Sequence, residues 1–158
     1  MPELSPAAQQ LSKLAVPYRM FQHAGTITSL EQAALERDQI PAQIVRSILF
    51  RVSEGNFVMV LMAGPAQISW PKLRAYLGQS RLTLASEAEV LATTGYRVGA
   101  VSPLGLPGPL RILADENVFT PTEISVGSGQ RGTAIILKSI DLRSTLTNIE
   151  IDKFAENK

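Results

Sequence analysis

Two apolar runs, Ile44 to Val52 and Phe57 to Ala63, flank the polar stretch Ser53-Glu54-Gly55-Asn56, and this pairing constrains the fold more than any other feature. Both runs are rich in branched and aromatic residues, which suit a pleated, half-buried surface, so the pattern predicts a β-hairpin. Side chains alternate across a strand, which sends Arg46, Ile48 and Phe50 to one face and Val45, Ser47 and Leu49 to the other. A guanidinium in so apolar a strand needs carboxylates, carbonyls or an anionic ligand beside it, because an unpaired buried charge is unstable.

Helices and further strands are expected around this hairpin. Ser5-Pro6 reads as a helix start with Leu11 and Leu14 as its apolar stripe, and a strand follows from Tyr18 to Gln22. Thr28 or Ser29 caps a helix over Leu30 to Glu36, which Pro41 closes off. Trp70-Pro71 opens a helix to about Leu77 with Gly78 at its end, Arg81 to Leu84 form a short strand, and Ser86-x-x-Glu89 is a capping-box pattern for a helix ending at Thr94-Gly95. Strands are expected at Leu110 to Leu113, Glu123 to Val126 and Thr133 to Leu137. Asp141 is expected to cap a short last helix, and the charged tail from Asp152 to fray. Strands in hairpins, interleaved with helices, favour an α+β fold over a doubly wound parallel sheet. The 158 residues suit a single domain.

Composition removes several chemistries. With no cysteine and one histidine, His23, the chain has no disulfide, no thiolate metal site and no multi-imidazole zinc site. A purely carboxylate-bound metal stays formally open, but the acidic residues show no ligand-like spacing, and no metal or cofactor is expected. A nucleophile–imidazole system would have to use His23, and no Gly-x-Ser-x-Gly elbow surrounds any serine. The acidic pairs Asp115-Glu116 and Glu87/Glu89 read as solvent-facing. Gly127-Ser128-Gly129-Gln130-Arg131-Gly132 lies between two strands, whereas a dinucleotide fingerprint opens a helix. A formal net charge of +1 argues against DNA binding through a broad basic surface, though not against contact with a small part of a nucleic acid. The longest apolar run is too short to cross a bilayer, and Met1-Pro2-Glu3-Leu4-Ser5 lacks signal-peptide character, so a cytoplasmic location is expected.

The second informative segment is Thr94-Gly95-Tyr96-Arg97-Val98-Gly99-Ala100-Val101-Ser102-Pro103-Leu104-Gly105. Glycines let a backbone approach a ligand closely, proline stiffens the turn between them, and unpaired N–H groups in such a loop can hold a carbonyl oxygen or an oxyanion. An ordinary Gly/Pro turn explains the same residues.

Taken together, the Arg46-Ser47 strand, the Leu73-to-Gly78 helix end, the Gly99 loop, Asp115, Gly129-x-Arg131-Gly132 and Asp141-Leu142 resemble the YbaK / prolyl-tRNA-synthetase-associated family of aminoacyl-tRNA deacylases, over residues of about 20 to 146. The resemblance implies a curved, barrel-like mixed sheet flanked by helices, and a pocket for the 3′-terminal adenosine with its esterified amino acid. It implies metal-independent hydrolysis of mischarged aminoacyl-tRNA, often tRNA for proline, with the tRNA acceptor end and prolyl-tRNA synthetase as partners. By position, Gly99-x-x-x-Pro103 is the substrate loop, the family's lysine falls at Arg46 and its threonine or asparagine neighbour at Ser47. A carboxylate found in some members is replaced by Ala134.

On this resemblance Arg46, Gly99, Ser102 and Pro103 are the expected catalytic positions, with Ser47, His23, Ala100, Val101 and Gly129 contacting substrate. Phe21, Ile27, Leu30 and Met62 are candidates for setting pocket size. A domain that holds aminoacyl-tRNA ends without turnover is the alternative, and an interaction module with Arg46 paired internally beneath a closed pocket is a third.

Overall fold

A computed structural model describes residues 4–157; Met1 to Glu3, part of the stretch read for a signal peptide, and Lys158 lie outside them. The hairpin forms as expected: β2 (Val45–Ser53) and β3 (Asn56–Ala63) pair antiparallel, with Arg46 opposite Met62 and Ser47 opposite Leu61. Gly55 makes the turn possible, since its φ of +75° lies in the left-handed region that favours glycine.

The elements run α1 (Pro6–Lys13), β1 (Arg19–Gln22), α2 (Leu30–Glu36), β2, β3, α3 (Trp70–Leu77), β4 (Thr83–Leu84), α4 (Glu87–Thr94), β5 (Arg111–Asp115), β6 (Glu123–Gly127), β7 (Thr133–Lys138), α5 (Ser139–Thr145) and β8 (Glu150–Asp152). Side-chain caps start α1 to α4: Ser5, Ser29, Ser69 and Ser86 each accept from a backbone N–H of the first turn. Glu89 closes the capping box on Ser86.

The mixed α+β expectation holds, but the strands divide into two sheets and do not close into a barrel. One sheet is ordered β4-β2-β3-β5-β8 and the other β1-β7-β6. Among the described residues a single bridge, Ile44 to Ser125, links them. The alternation along β2 explains why both are needed. Val45 and Leu49 join the main core with Val90, Val126 and Ile135, while Phe50 and Ile48 pack on the opposite face with Leu73, Trp70 and Phe154.

Four local expectations are corrected. Leu14 is exposed, and α1 buries Ala7 and Ala8 beside Leu11 instead. The last helix starts at Ser139 with Lys138 at its N-cap, so Asp141 lies inside the first turn. The tail does not fray: β8 pairs with β5, and Phe154 is buried. Asp115 is not solvent-facing, because its buried carboxylate accepts from the N–H groups of Asn117, Phe154 and Ala155 and so pins the tail.

Candidate functional site

A cavity of about 430 Å³ opens where the two sheets diverge. Its walls come from Val45 to Leu49 of β2, from the Val98-Gly99 turn with Val101, from Gly127 at the end of β6, and from Gly132 to Ala134 entering β7. Ile27 and Arg37 border it from the α2 side.

The loop wall is set by close backbone contact. A Cβ on Gly127 would lie 1.9 Å from the Val101 carbonyl oxygen, so only glycine lets β6 end against the loop. Gly129 donates its N–H to the Ala100 carbonyl at 2.9 Å, and the Tyr96 ring occupies the space a side chain there would need. Tyr96 is buried and donates its hydroxyl to the Leu104 carbonyl at 2.6 Å; burial pushes its pKa up to about 12. Arg131 clamps the turn from outside, its Nε and Nη2 donating to the Val98 carbonyl at 3.2 and 2.9 Å. The Ala100 N–H is taken by Arg97 O at 3.0 Å, whereas the amides of Gly99 and Val101 have no acceptor among the described residues.

The facing wall is an open strand edge. Leu49 gives its carbonyl to Ala85 N–H across that edge, at 3.0 Å, and Ile44 is bridged to Ser125. Residues of an antiparallel strand alternate in the direction of their backbone groups, so Ser47, two before Leu49, turns its N–H and C=O to the same edge, between those two contacts. The Ser47 Oγ is buried with no partner among the described residues. An unpartnered buried hydroxyl is uncommon in a folded protein and marks a place where a ligand atom or water completes the bonding.

Arg46 borders the same cavity, but its guanidinium is already engaged. Its Nε donates to the Gly64 carbonyl at 2.8 Å and its Nη2 to the Ala66 carbonyl, at the exit of the hairpin. The carbonyl solution to burying this charge is therefore the one adopted, and burial draws its pKa below the ordinary arginine value.

The other expected positions disperse. Ser102 is buried and its Oγ accepts from Leu104 N–H at 3.2 Å. Pro103 borders a separate cavity of about 590 Å³ between α1, the following Gly/Pro loop and the end of α5. Ala100 and Gly129 bond to each other behind the loop. Met62 is buried on the far face of the hairpin and Leu30 packs against Ala33 and Ala34, so of the pocket-size candidates Ile27 alone borders the cavity.

His23 is buried beneath the cavity wall, and its bonds fix its state. Arg37 Nε donates to its Nε2 at 3.0 Å, so Nε2 carries no proton; Nδ1 therefore carries it and donates to Glu36 Oε1 at 2.9 Å. Hydrogen bonds from His23, then Gln32, hold the Glu36 carboxyl below its ordinary pKa. His23 thus acts as a neutral strut rather than a base. The residue that sequence reasoning missed is Arg37. The partners that orient it lie 14 and 88 positions away, and no local pattern announces them.

Among the described residues no group of three or more acidic or histidine side chains could hold a metal ion. No helix among them is long and apolar enough to cross a membrane. What the fold and cavity define is an α+β domain with a cavity bordered by two loop amides and a serine hydroxyl that have no partner among the described residues.

The pattern of the aminoacyl-tRNA editing domain matches residues 24–145, and the chain belongs to that family. It is 38% identical over 92 residues to a proline--tRNA ligase of Kosmotoga olearia, covering 58% of this chain and 16% of that protein. It is 26% identical over 148 residues to a proline--tRNA ligase of Staphylococcus saprophyticus, covering 94% of this chain and 24% of that protein. The chain therefore spans less than a quarter of the length of these ligases. A crystal structure of a candidate trans-editing enzyme for prolyl tRNA synthetase superposes with a TM-score of 0.85 at 24% identity, over 98% of this chain and 100% of that one, and so shares the fold.

Proposed function

We propose that this chain is a trans-editing deacylase that receives the 3′-terminal aminoacyl-adenosine of a mischarged tRNA, tRNA for proline first among candidates, and hydrolyses its ester. The observation that carries this reading is the facing pair of unpartnered groups across one cavity: the Gly99 and Val101 amides on the loop, and Ser47 on the strand edge. The prolyl character of the relatives supports tRNA for proline and prolyl-tRNA synthetase as partners.

An aminoacyl ester is already activated, so orientation and oxyanion stabilisation can supply much of the acceleration. Water adds to the ester carbonyl carbon, and the carbonyl oxygen, gaining charge, is held by the Gly99 and Val101 N–H groups. The bond to the ribose oxygen then breaks, that oxygen takes a proton, and the free amino acid leaves with its carboxylate. No imidazole borders the cavity, which leaves the terminal ribose hydroxyl or a second water to carry the proton. Ser47 would hold the ribose or the amino group, and Arg46 would shape the wall and add positive potential.

A second reading, retention of the aminoacyl end without turnover, is favoured by two observations. Arg46 is tied to carbonyls, and Ala134 stands on the cavity wall without a carboxylate. Deacylation of a panel of mischarged tRNAs decides between them. Turnover that falls on Ser47→Ala and is lost on Gly99→Val supports the enzyme. Binding of an amide-linked 3′-aminoacyl-adenosine with no turnover on any tRNA supports the binding domain, and absence of both removes the two readings together.

A further inference from the structure

Beside the unpartnered amides, the cavity carries a guanidinium that the surrounding residues orient without a direct ion pair. Arg37 follows the last turn of α2 and donates through Nε to His23 Nε2 at 3.0 Å and through Nη1 to Ser125 Oγ at 2.9 Å. Both acceptors are uncharged, and each is itself held. Glu36 accepts a hydrogen bond from His23 Nδ1–H, which turns the Nε2 lone pair to Arg37. Gln39 Oε1 accepts a hydrogen bond from the Ser125 hydroxyl at 2.9 Å, which turns a lone pair of Ser125 to Arg37. The two nearby carboxylates bond to other members or neighbours of this cluster and not to Arg37 itself: Glu36 to His23 and Gln32, and Glu123 to Gln39 and Arg19. None lies within ion-pair distance of Arg37 among the described residues, and Nη2 has no acceptor among them.

The two cavity arginines thus differ in their use. A guanidinium whose partners are themselves fixed, with one edge left for a ligand, is the arrangement expected for bidentate or charge-assisted recognition of an oxyanion. Glu36 attracts this half-buried charge through space without pairing with it directly, so an anion at the remaining edge would add the direct contact it lacks.

We infer that Arg37 is a substrate-recognition residue of this cavity, presenting Nη2 to an oxyanion of the bound molecule, with His23, Ser125, Glu36 and Gln39 as positioning residues behind it. This rests on the proposed aminoacyl-tRNA reading, under which the oxyanion has two sources: the side-chain carboxylate of the esterified amino acid, or the 5′ phosphate of the terminal nucleotide.

Three amide-linked probes separate these sources: 3′-alanyl-adenosine, 3′-glutamyl-adenosine and 3′-alanyl-adenosine 5′-phosphate. Arg37→Gln should weaken the probe whose oxyanion Arg37 reads by about tenfold or more, and leave alanyl-adenosine, which carries no oxyanion, within about twofold. Loss confined to the glutamyl probe assigns the amino-acid carboxylate, and loss confined to the phosphorylated probe assigns the phosphate. An equal loss on all three probes, or on none, overturns the inference. If the wild-type protein binds none of them, the proposed function fails, and Arg37 is judged separately by titrating inorganic phosphate and glutarate while following its Nε–H resonance. A saturable shift with either anion sustains the inference without that reading, and no shift overturns it. The same wild-type titration decides the matter if Arg37→Gln does not fold.

Discussion

Arg46 and Arg37 border one cavity and have opposite surroundings. Arg46 leaves a strand whose next outward residues, Ile48 and Phe50, are packed in the second core, and it meets two backbone carbonyls where the hairpin ends. Arg37 ends a helix beside a neutral imidazole and a hydroxyl, each oriented by another polar side chain. The difference teaches that a cation within a pocket is not thereby a ligand-binding cation. What its acceptors are, and whether they are themselves held, separates a charge that ties the fold together from one that is presented.

The comparison breaks most completely if the shared wall moves. Gly127→Ala places a Cβ against the Val101 carbonyl and forces the loop off β6. We expect a loss of about 3 kcal/mol or more in denaturant unfolding, with ligand binding lost alongside, because backbone cannot yield as a side-chain tip can.

Next in size is an alkaline effect on the same wall. The raised pKa of buried Tyr96 means that the unfolded chain loses this proton first, near the usual tyrosine value of 10. Stability is therefore intact below about pH 10 and falls as pH rises to about 12, by up to roughly 2 kcal/mol. Subtracting the pH profile of Tyr96→Phe from that of the wild type should leave this decline; parallel profiles would contradict it.

The direct contrast between the arginines is smaller in stability and sharper in meaning. Arg46→Ala leaves the Gly64 and Ala66 carbonyls without their donor and should destabilise by roughly 1–2 kcal/mol. Arg37→Gln keeps a polar group near His23 and should cost less than about 1 kcal/mol, acting on ligand binding instead. Reversed magnitudes in urea unfolding would mean that Arg37 is the structural cation.

Much of the fold is legible because its signals are local. The hairpin follows from alternation and Gly55, and serine caps start four helices at or beside the expected residues. The tail is misread because its composition is polar. Phe154 and the distant Asp115 carboxylate fix it, and neither can be paired with the other from spacing alone. Within the site, the Gly99 loop and the Ser47 strand carry recognisable motifs and border one cavity, whereas Ser102 and Pro103 share the loop's motif and turn elsewhere. Strand and loop motifs give chain position, and the direction of a side chain within an irregular loop is set by contacts made after the chain has folded. The Arg37 cluster was illegible for the same reason, since its five polar members come from the residue after β1, the end of α2 with the turn beyond it, and β6.

The central claim is that the gap between the Ser47 edge and the Gly99 turn receives an aminoacylated adenosine. Titrating an amide-linked 3′-aminoacyl-adenosine into the labelled protein, while following backbone amide resonances, tests it most directly. Saturable shifts at Ser47, Gly99 and Val101, exceeding those at Leu106 and Thr147 in the other cavity, are the predicted result. Binding that shifts Leu106 and Thr147 instead, or no binding to a folded protein, would contradict the account.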